Sequence, residues 1–594
     1  MTKLPIFRGL TLALGLSATI LFATAAGAQA ESDETDLFFD TVDVNVVNVE
    51  VVVTDADGNP ITGLGREDFV LYEDGEPVEL SNFFAVEGGE ALPPETREGD
   101  AAAIAPATRG LNLIVFVDEL NLGPRNRNQI FENLRGVLEG ELDPKTQVMV
   151  VSFNGRSEIA QEFTNDPAEI EAVLDQLDDA TGRHAQFEMQ KSLYFRQIDQ
   201  TALITPQSGG DDLIPNVDSQ VTGVAASSLA AELRNLAQQS YQKTRSTLEA
   251  LEAFSNSLAG MRGRKAILYV SDGLPLRPAE PLVQAWLNKF EAWVLDQGET
   301  SILRELTSMV GTEYDASNDF DDLVSHLSTQ RVVLYPITVA GRHSDSHVSA
   351  AFSGAGVSGL GARSADVVSM DNFSNESSLL RMAEGTGGVA FTRSANIGKL
   401  IGQISSDFST FYSLGYSTPE REPGEFHEIE VEVARKGARV RHLEGYRPQD
   451  PLENLKDLTL SALHHGLEDN TLEMRLSPGE QEPSKGKRFQ VPVMVQIPFQ
   501  KLLLLPEAEH HTSQVTLYVV VQDLETGGVS EPQRIDLPIQ IPNERLGEAL
   551  TQAAAYPLQL DMKRGPKRIA LGARDRLAQI DSTVCLELDV GSGG

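Results

Sequence analysis

A chain of 594 residues, 41% of them hydrophobic and with a net charge of −39, is too long for one ordinary core and has apolar content for two to four domains. The acid excess argues against nucleic acid as a partner, because its phosphates would be repelled over most of the surface. Cys585 is the single cysteine, so no intramolecular disulfide can form and stability must come from packed cores.

Lys3 and Arg8 precede an apolar run from Leu10 to Ala23, and Ala28-Gln29-Ala30 puts small residues at cleavage-site positions. Residues 1–30 therefore read as a secretory signal peptide. Its removal takes two basic residues and no acid, moving the charge from −39 to −41. No later run reaches membrane-spanning length, so the expectation is an exported chain, periplasmic or secreted, without a transmembrane segment.

Residues 41–87 form a small β module by alternation. Val42, Val44 and Val46 keep one phase and Val47, Val49, Val51 and Val53 the other, which fits a bulge or a break between two strands. DADGNP is a turn, and FVLYEDGEPVEL gives two strands around Asp74-Gly75. Asp55, Asp57 and Asn59 imitate a calcium loop, but Pro60 stands at the required glycine and Arg66 at the closing glutamate, so a turn is expected. Residues 88–110, rich in Gly, Pro and Ala and without periodicity, read as a linker.

From 111 to about 417 strands alternate with helical segments. LNLIVFVD, TQVMVVSF, KAILYVSDG, VVLYPITVAG and GGVAFT are strands, and SEIAQEFT is an edge strand. Helices are expected over NRNQIFENLRGVLEGEL and DPAEIEAVLDQLDD, as a long element within 226–260, and near 375–385 and 395–411. Such alternation predicts a mainly parallel, doubly wound α/β sheet whose ligands bind outside the carboxyl ends of the strands. Asp118 and Asp272 both fall at such ends. The polar segment 183–225 and the segment 342–372, with SGAGVSGLGARS inside it, read as long loops. FHEIEVEVARKGARVRHLEGY (426–446) reads as a hairpin turning at Lys436-Gly437, either closing the α/β domain, taken as 111–447, or joining the N-terminal module. From Leu452 to the end, alternating runs such as FQVPVMVQIPF, QVTLYVVVQDLETGG and STVCLELDV predict an all-β, sandwich-like domain over 452–594, with Cys585 a small strand residue.

With the strand-end aspartates in view, the pattern resembles a von Willebrand factor type A domain. The run 41–447 resembles, more narrowly, the bacterial family described as von Willebrand factor A-related of acidobacterial type, through VTDADGNPITGLGREDFVLYEDG, LNLIVFVDELNL, LYVSDG, LLRMAEGTGGVAFT and FYSLGYSTP. The resemblance implies a metal site built from an Asp-x-Ser-x-Ser run, a threonine and a later aspartate, taking Mg²⁺ or another divalent cation. Asp118 matches the first aspartate and Asp272 the last; Thr181, in ATGR, is the positional candidate for the threonine; Leu120 and Leu122 stand where the serines should be. Glu119 and Asn121 are out of phase with Asp118 on an extended path, and either supplies a replacement oxygen only if the loop turns differently. The expected site is degenerate, with a thin first shell.

Enzyme motifs are missing: no Gly-x-Ser-x-Gly elbow, His-Glu-x-x-His helix, Cys-x-x-Cys pair or Walker run occurs. His464-His465 and His510-His511 are adjacent pairs, which face different ways and do not chelate by themselves. Arg262, Arg264 and Lys265 form a local basic patch that reads as a solvated strand entry, with an anionic partner as the alternative. The expected function is a non-enzymatic exported interaction or adhesion protein that binds a protein or other extracytoplasmic macromolecule through the rim around Asp118, Thr181 and Asp272. The alternatives are a structural envelope component assembled through the β domains, and a hydrolase with its site in the long loops.

Overall fold

The structure is a computed structural model that describes residues 45–92, 111–138, 146–178, 184–201, 216–259, 261, 264–298, 300–339, 361–392, 397–418, 421, 423–448, 450–466 and 469–591. Residues 1–30, expected to be a signal peptide, together with Thr181, Arg262 and most of the expected linker, lie outside the described residues. The chain is a multidomain mixed α/β protein, with five sheets among the described residues.

The N-terminal strands are β1 (Asn45–Thr54), β2 (Phe69–Glu73), β3 (Glu76–Val78), β4 (Leu80–Glu87) and the short β5 (Glu90–Ala91). β1 runs unbroken across Val46-Val47, in place of the expected bulge or break. Both its phases find cover: Val49, Val51 and Val53 enter the main core of the module, and Val52 packs with Val86 and Phe411. Asp74 (φ 52°) and Gly75 (φ 80°) make the tight turn between β2 and β3. DADGNP is a turn, with Asp55 accepting from the backbone of Asp57 and Asn59.

The central sheet contains β6 (Asn112–Asp118), β7 (Gln147–Phe153), β8 (Ser157–Thr164), β9 (Lys265–Val270) and β10 (Val332–Ile337), in the order β10-β9-β6-β7-β8. All neighbours are parallel except the edge strand β8. β6 lies between β7 and β9, so the winding direction reverses there and a crevice opens beyond Asp118.

The helices are α1 (Pro124–Leu138), α2 (Pro167–Asp178), α3 (His184–Gln200), α4 (Asn216–Ser257), α5 (Glu280–Gln297), α6 (Thr300–Ser308), α7 (Ser317–Thr329), α8 (Gly361–Gly385) and α9 (Ile397–Ser409). One sheet face is covered by α1, α2 and α9 through Phe131, Leu174 and Ile404. The other is covered by α4, α7 and α8 through Leu251, Phe320 and Met382. Burial from both sides explains why every residue of KAILYV is buried.

Two expected loops are corrected. Most of 183–225 is helical, and α8 begins at Gly361, inside 342–372. Polar composition hid a helical apolar stripe: Tyr194, Ile198, Leu229 and Leu233 pack with Trp286 and Phe290 of α5 in a separate helical core. No described helix is long and apolar enough to cross a membrane.

The expected hairpin is also corrected. β11 (Phe411–Thr418) and β13 (Arg439–Arg441) pair with β1, whereas β12 (His427–Val433) pairs with β2 and with β14 (Gly445–Tyr446). The chain crosses between two facing sheets at Lys436-Gly437, and both strands join the N-terminal module. Beyond it stands a helix that an all-β reading missed, α10 (Pro451–His465), capped by Asp450 and ended by Gly466 at φ 64°. The remaining strands are antiparallel, with Arg488–Pro498 paired to Ala553–Lys563, and His510–Asp523 paired to Gly565–Asp575. They close on a core that includes Val493, Leu517 and Leu571, while Leu463 of α10 packs on Val520 and Ala570.

Candidate functional site at the carboxyl ends of the strands

The site grows from the loop that follows β6. The carboxylate of Asp118, 0% exposed, accepts hydrogen bonds from Tyr269 Oη (2.6 Å), Asn121 Nδ2 (2.7 Å) and Ser271 Oγ (3.4 Å) on Oδ2, and from Asn121 N (3.2 Å) on Oδ1. Burial raises its pKa, opposed by the Tyr269 and Asn121 hydrogen bonds and by the charge of Lys243.

Asn121 is not out of phase with Asp118, as an extended path would require. Asn121 N donates to Asp118 O at 3.1 Å, so a tight turn folds the carboxamide back over the carboxylate. Asn121 Nδ2 also donates to Thr247 Oγ1 (3.0 Å), tying the rim to α4. Glu119 goes the other way and accepts from Ser152 Oγ. Leu120 and Leu122, at the positions of the expected hydroxyls, are buried on opposite faces of the sheet.

Asp272 follows β9. Its Oδ2 accepts from Gly123 N (2.7 Å), its Oδ1 from Asn126 Nδ2 (2.6 Å), and its own N–H donates to Asn121 O (2.8 Å). Burial pushes its carboxyl up to about 6. Gly273 beside it has φ 109°, and a Cβ there would lie 2.7 Å from Asn375 Cβ of α8, so the rim closes only with glycine.

Two segments outside the recognised motifs complete the cluster. From α3, His184 packs close enough to the Asp272 loop that a Cβ on Gly123 would lie 3.2 Å from Asp272 Oδ2 and 3.8 Å from His184 Nε2. From α4, Lys243 places its ammonium 3.5 Å from His184 Nδ1 and 5.0 Å from the centre of the Phe187 ring. Burial, together with the Lys243 charge, pushes the His184 imidazole down to about 4, so it is neutral at physiological pH. Burial lowers Lys243 while the charges of Glu188, Asp118 and Asp272 oppose that shift. Burial would raise Glu188, but the charges of Lys191 and Lys243 oppose it, and its carboxyl is held below the ordinary value. Sequence reading missed His184, Glu188 and Lys243 because they sit on helices taken as a loop or as ordinary cover, without a local motif.

This donor set does not fit a divalent cation. The lone pairs of both aspartates face N–H and O–H donors, the hydroxyl positions carry buried leucines, and a lysine ammonium already supplies positive charge to the two carboxylates. Of the three expected ligands, Asp118 and Asp272 come together on one rim and Thr181 lies outside the described residues. Among the described residues another convergence is Glu73, Asp74 and His427, with ligand atoms within 4.8 Å of one another. There Glu73 is held by Arg421 (2.9 Å) and Tyr446 Oη (2.7 Å), and Asp74 by His427 Nδ1 (2.8 Å) and Glu428 N (2.9 Å), which makes it an ion-pair network.

No family model matches the sequence, and no curated protein matches it. Among solved structures, the conserved hypothetical protein BatB from Bacteroides thetaiotaomicron aligns with 50% of this chain and 98% of its own, at 13% identity and a TM-score of 0.21.

Proposed function

We propose that the chain is an exported, non-enzymatic interaction protein with a von Willebrand factor type A-like central domain, which engages a protein or other extracytoplasmic macromolecule through the rim beyond β6. The observation that carries this reading is the sheet itself: β6 sits at the reversal of winding and delivers Asp118 to the crevice where such sheets bind ligands. The contact is metal-independent, because Lys243 supplies the positive charge that a cation would bring. Around this end, α3 exposes Met189 and Leu193, four residues apart on one helix face, and α8 exposes Phe373.

The test is photo-crosslinking from position 189 or 373 in envelope extracts, with position 494 of the C-terminal domain as control. The captured molecule is then purified and titrated against the chain with and without EDTA. Binding that survives EDTA and is lost in Met189→Glu supports the reading. Equal capture from position 494 would point to assembly through the β domains. Turnover of ester, peptide or glycoside substrates that vanishes in His184→Gln would replace the interaction reading with the hydrolase one.

A further inference from the structure

At the opposite end of the central sheet, where β9 and β10 begin, a cavity of about 620 Å³ opens between β1, the end of α7 and α10. Its size is that of a small-molecule site. Six of its lining residues are ionisable acids or bases: Glu50, Arg264, Lys265, Arg331, Arg447 and Asp581. The two acids are already matched, Glu50 by Arg264 (2.9 Å) and Asp581 by Arg574 (2.8 Å). Among the described residues the other three cations have no carboxylate partner. Lys265, 2% exposed, donates only to Leu258 O (3.1 Å). Arg447 has the neutral partners Gly424 O (2.7 Å) and Ser325 Oγ (3.3 Å). Arg331 is exposed at the cavity mouth, and its backbone is held at φ 53°, a region costly for a non-glycine residue.

In a chain with 87 acids against 48 bases, three cations without an acid at one cavity are the reverse of what composition would deliver. Leaving a buried ammonium unmatched costs stability unless something else meets it, and of the three cations Lys265 is the buried one, while Arg331 and Arg447 stand exposed at the mouth. We propose that this cavity binds a small organic anion, whose carboxylate or phosphate head is matched by Lys265 and Arg331 and whose apolar body packs on Val49, Met261 and Leu458. The apolar residues are all in the lining and all buried.

Proton linkage follows. Burial, with the charge of Arg331, pushes the Lys265 ammonium down to about 7. An anion placed beside it favours the charged form, so binding takes up a proton and weakens as pH rises through neutrality. The other groups at the cavity do not reverse this. Glu50 and Asp581 are ion-paired, and burial lowers His442, disfavouring its charged form.

The experiment is calorimetric titration of the full chain with octanoate and octyl phosphate, with acetate and inorganic phosphate as the heads alone and octanol as a neutral control, at constant ionic strength. The expected result is saturable binding of one or both octyl anions, roughly tenfold tighter than the bare heads and several-fold weaker at pH 8 than at pH 6. Which octyl anion binds more tightly identifies the head group. Arg331→Gln should weaken binding roughly tenfold with an unchanged melting temperature. Lys265→Met should remove the pH dependence. The proposal is overturned if no octyl anion saturates at pH 6, if octanol binds equally well, or if binding survives both substitutions.

Discussion

Arg441 sets its two terminal nitrogens on the two carboxylate oxygens of Asp407, each at 2.6 Å. Asp407 is 1% exposed and also accepts from Tyr335 Oη (2.9 Å) and Gln403 Nε2 (2.8 Å). One carboxylate thus joins β13 of the N-terminal module to α9 and β10 of the central domain. Arg441→Ala would strand a buried charge, and the expected loss is about 3 kcal/mol in urea unfolding. Tyr335→Phe, which removes one of several donors, should cost about 1 kcal/mol. A loss below that smaller value for Arg441→Ala would mean that the pair does not hold the modules together.

Gly415, in the interior of β11, packs against Asn82 of β4 so closely that a Cβ would lie 1.3 Å from Asn82 Oδ1 and 2.8 Å from Asn48 Oδ1. Gly415→Ala should destabilise by about 2 kcal/mol, because a well-packed interior cannot take the methyl without displacing a side chain. The double substitution with Asn82→Ala should recover at least half of that by removing the blocking carboxamide. Thermal unfolding of the two variants decides the point. No recovery would show that the strain lies in the backbone.

What was legible in the sequence and what was not divide along physical lines. β6 and β9 announce themselves because burial on both faces demands an unbroken apolar run, and Asp118 stands out because a charge ends that run. The 184–200 and 216–225 segments were hidden because a helix in an outer layer needs only a narrow apolar stripe, such as Tyr194 and Ile198, among polar residues. His184, Glu188 and Lys243 meet the rim only through tertiary packing of those helices, which no local spacing encodes. Asn121 comes over Asp118 because a single turn replaces the alternation of a strand, and periodicity says nothing about where a strand ends.

The chain is expected to show no saturable heat on titration with Mg²⁺, Mn²⁺ or Ca²⁺, and no change in melting temperature with EDTA. Asp118→Ala should act through stability alone, costing about 2–3 kcal/mol by leaving Tyr269 and Asn121 without their acceptor. Saturable cation binding abolished by both Asp118→Ala and Asp272→Ala would overturn the metal-independent reading of the rim.

The rim also carries two opposed proton linkages. The Asp272 carboxyl moves from 3.8 to about 6 on folding, so the folded chain holds more protons than the unfolded one between those values. Its contribution to stability falls as pH rises through that window. The His184 imidazole moves from 6.5 to about 4, so the folded chain holds fewer protons there, and its contribution rises with pH over nearly the same window. The two slopes cancel in the wild type. Asp272→Asn should leave the His184 slope exposed, so that stability relative to wild type climbs between pH 4 and pH 6 by on the order of 2 kcal/mol. His184→Gln should give the opposite trend of similar size, and the double variant should be level with wild type across the window. Urea unfolding at closely spaced pH values tests all three, since titrations elsewhere in the chain drop out of the differences. If both single variants differ from wild type by a constant amount at every pH, neither group is shifted by the rim, and the desolvated acid–imidazole–ammonium cluster is not its electrostatic centre.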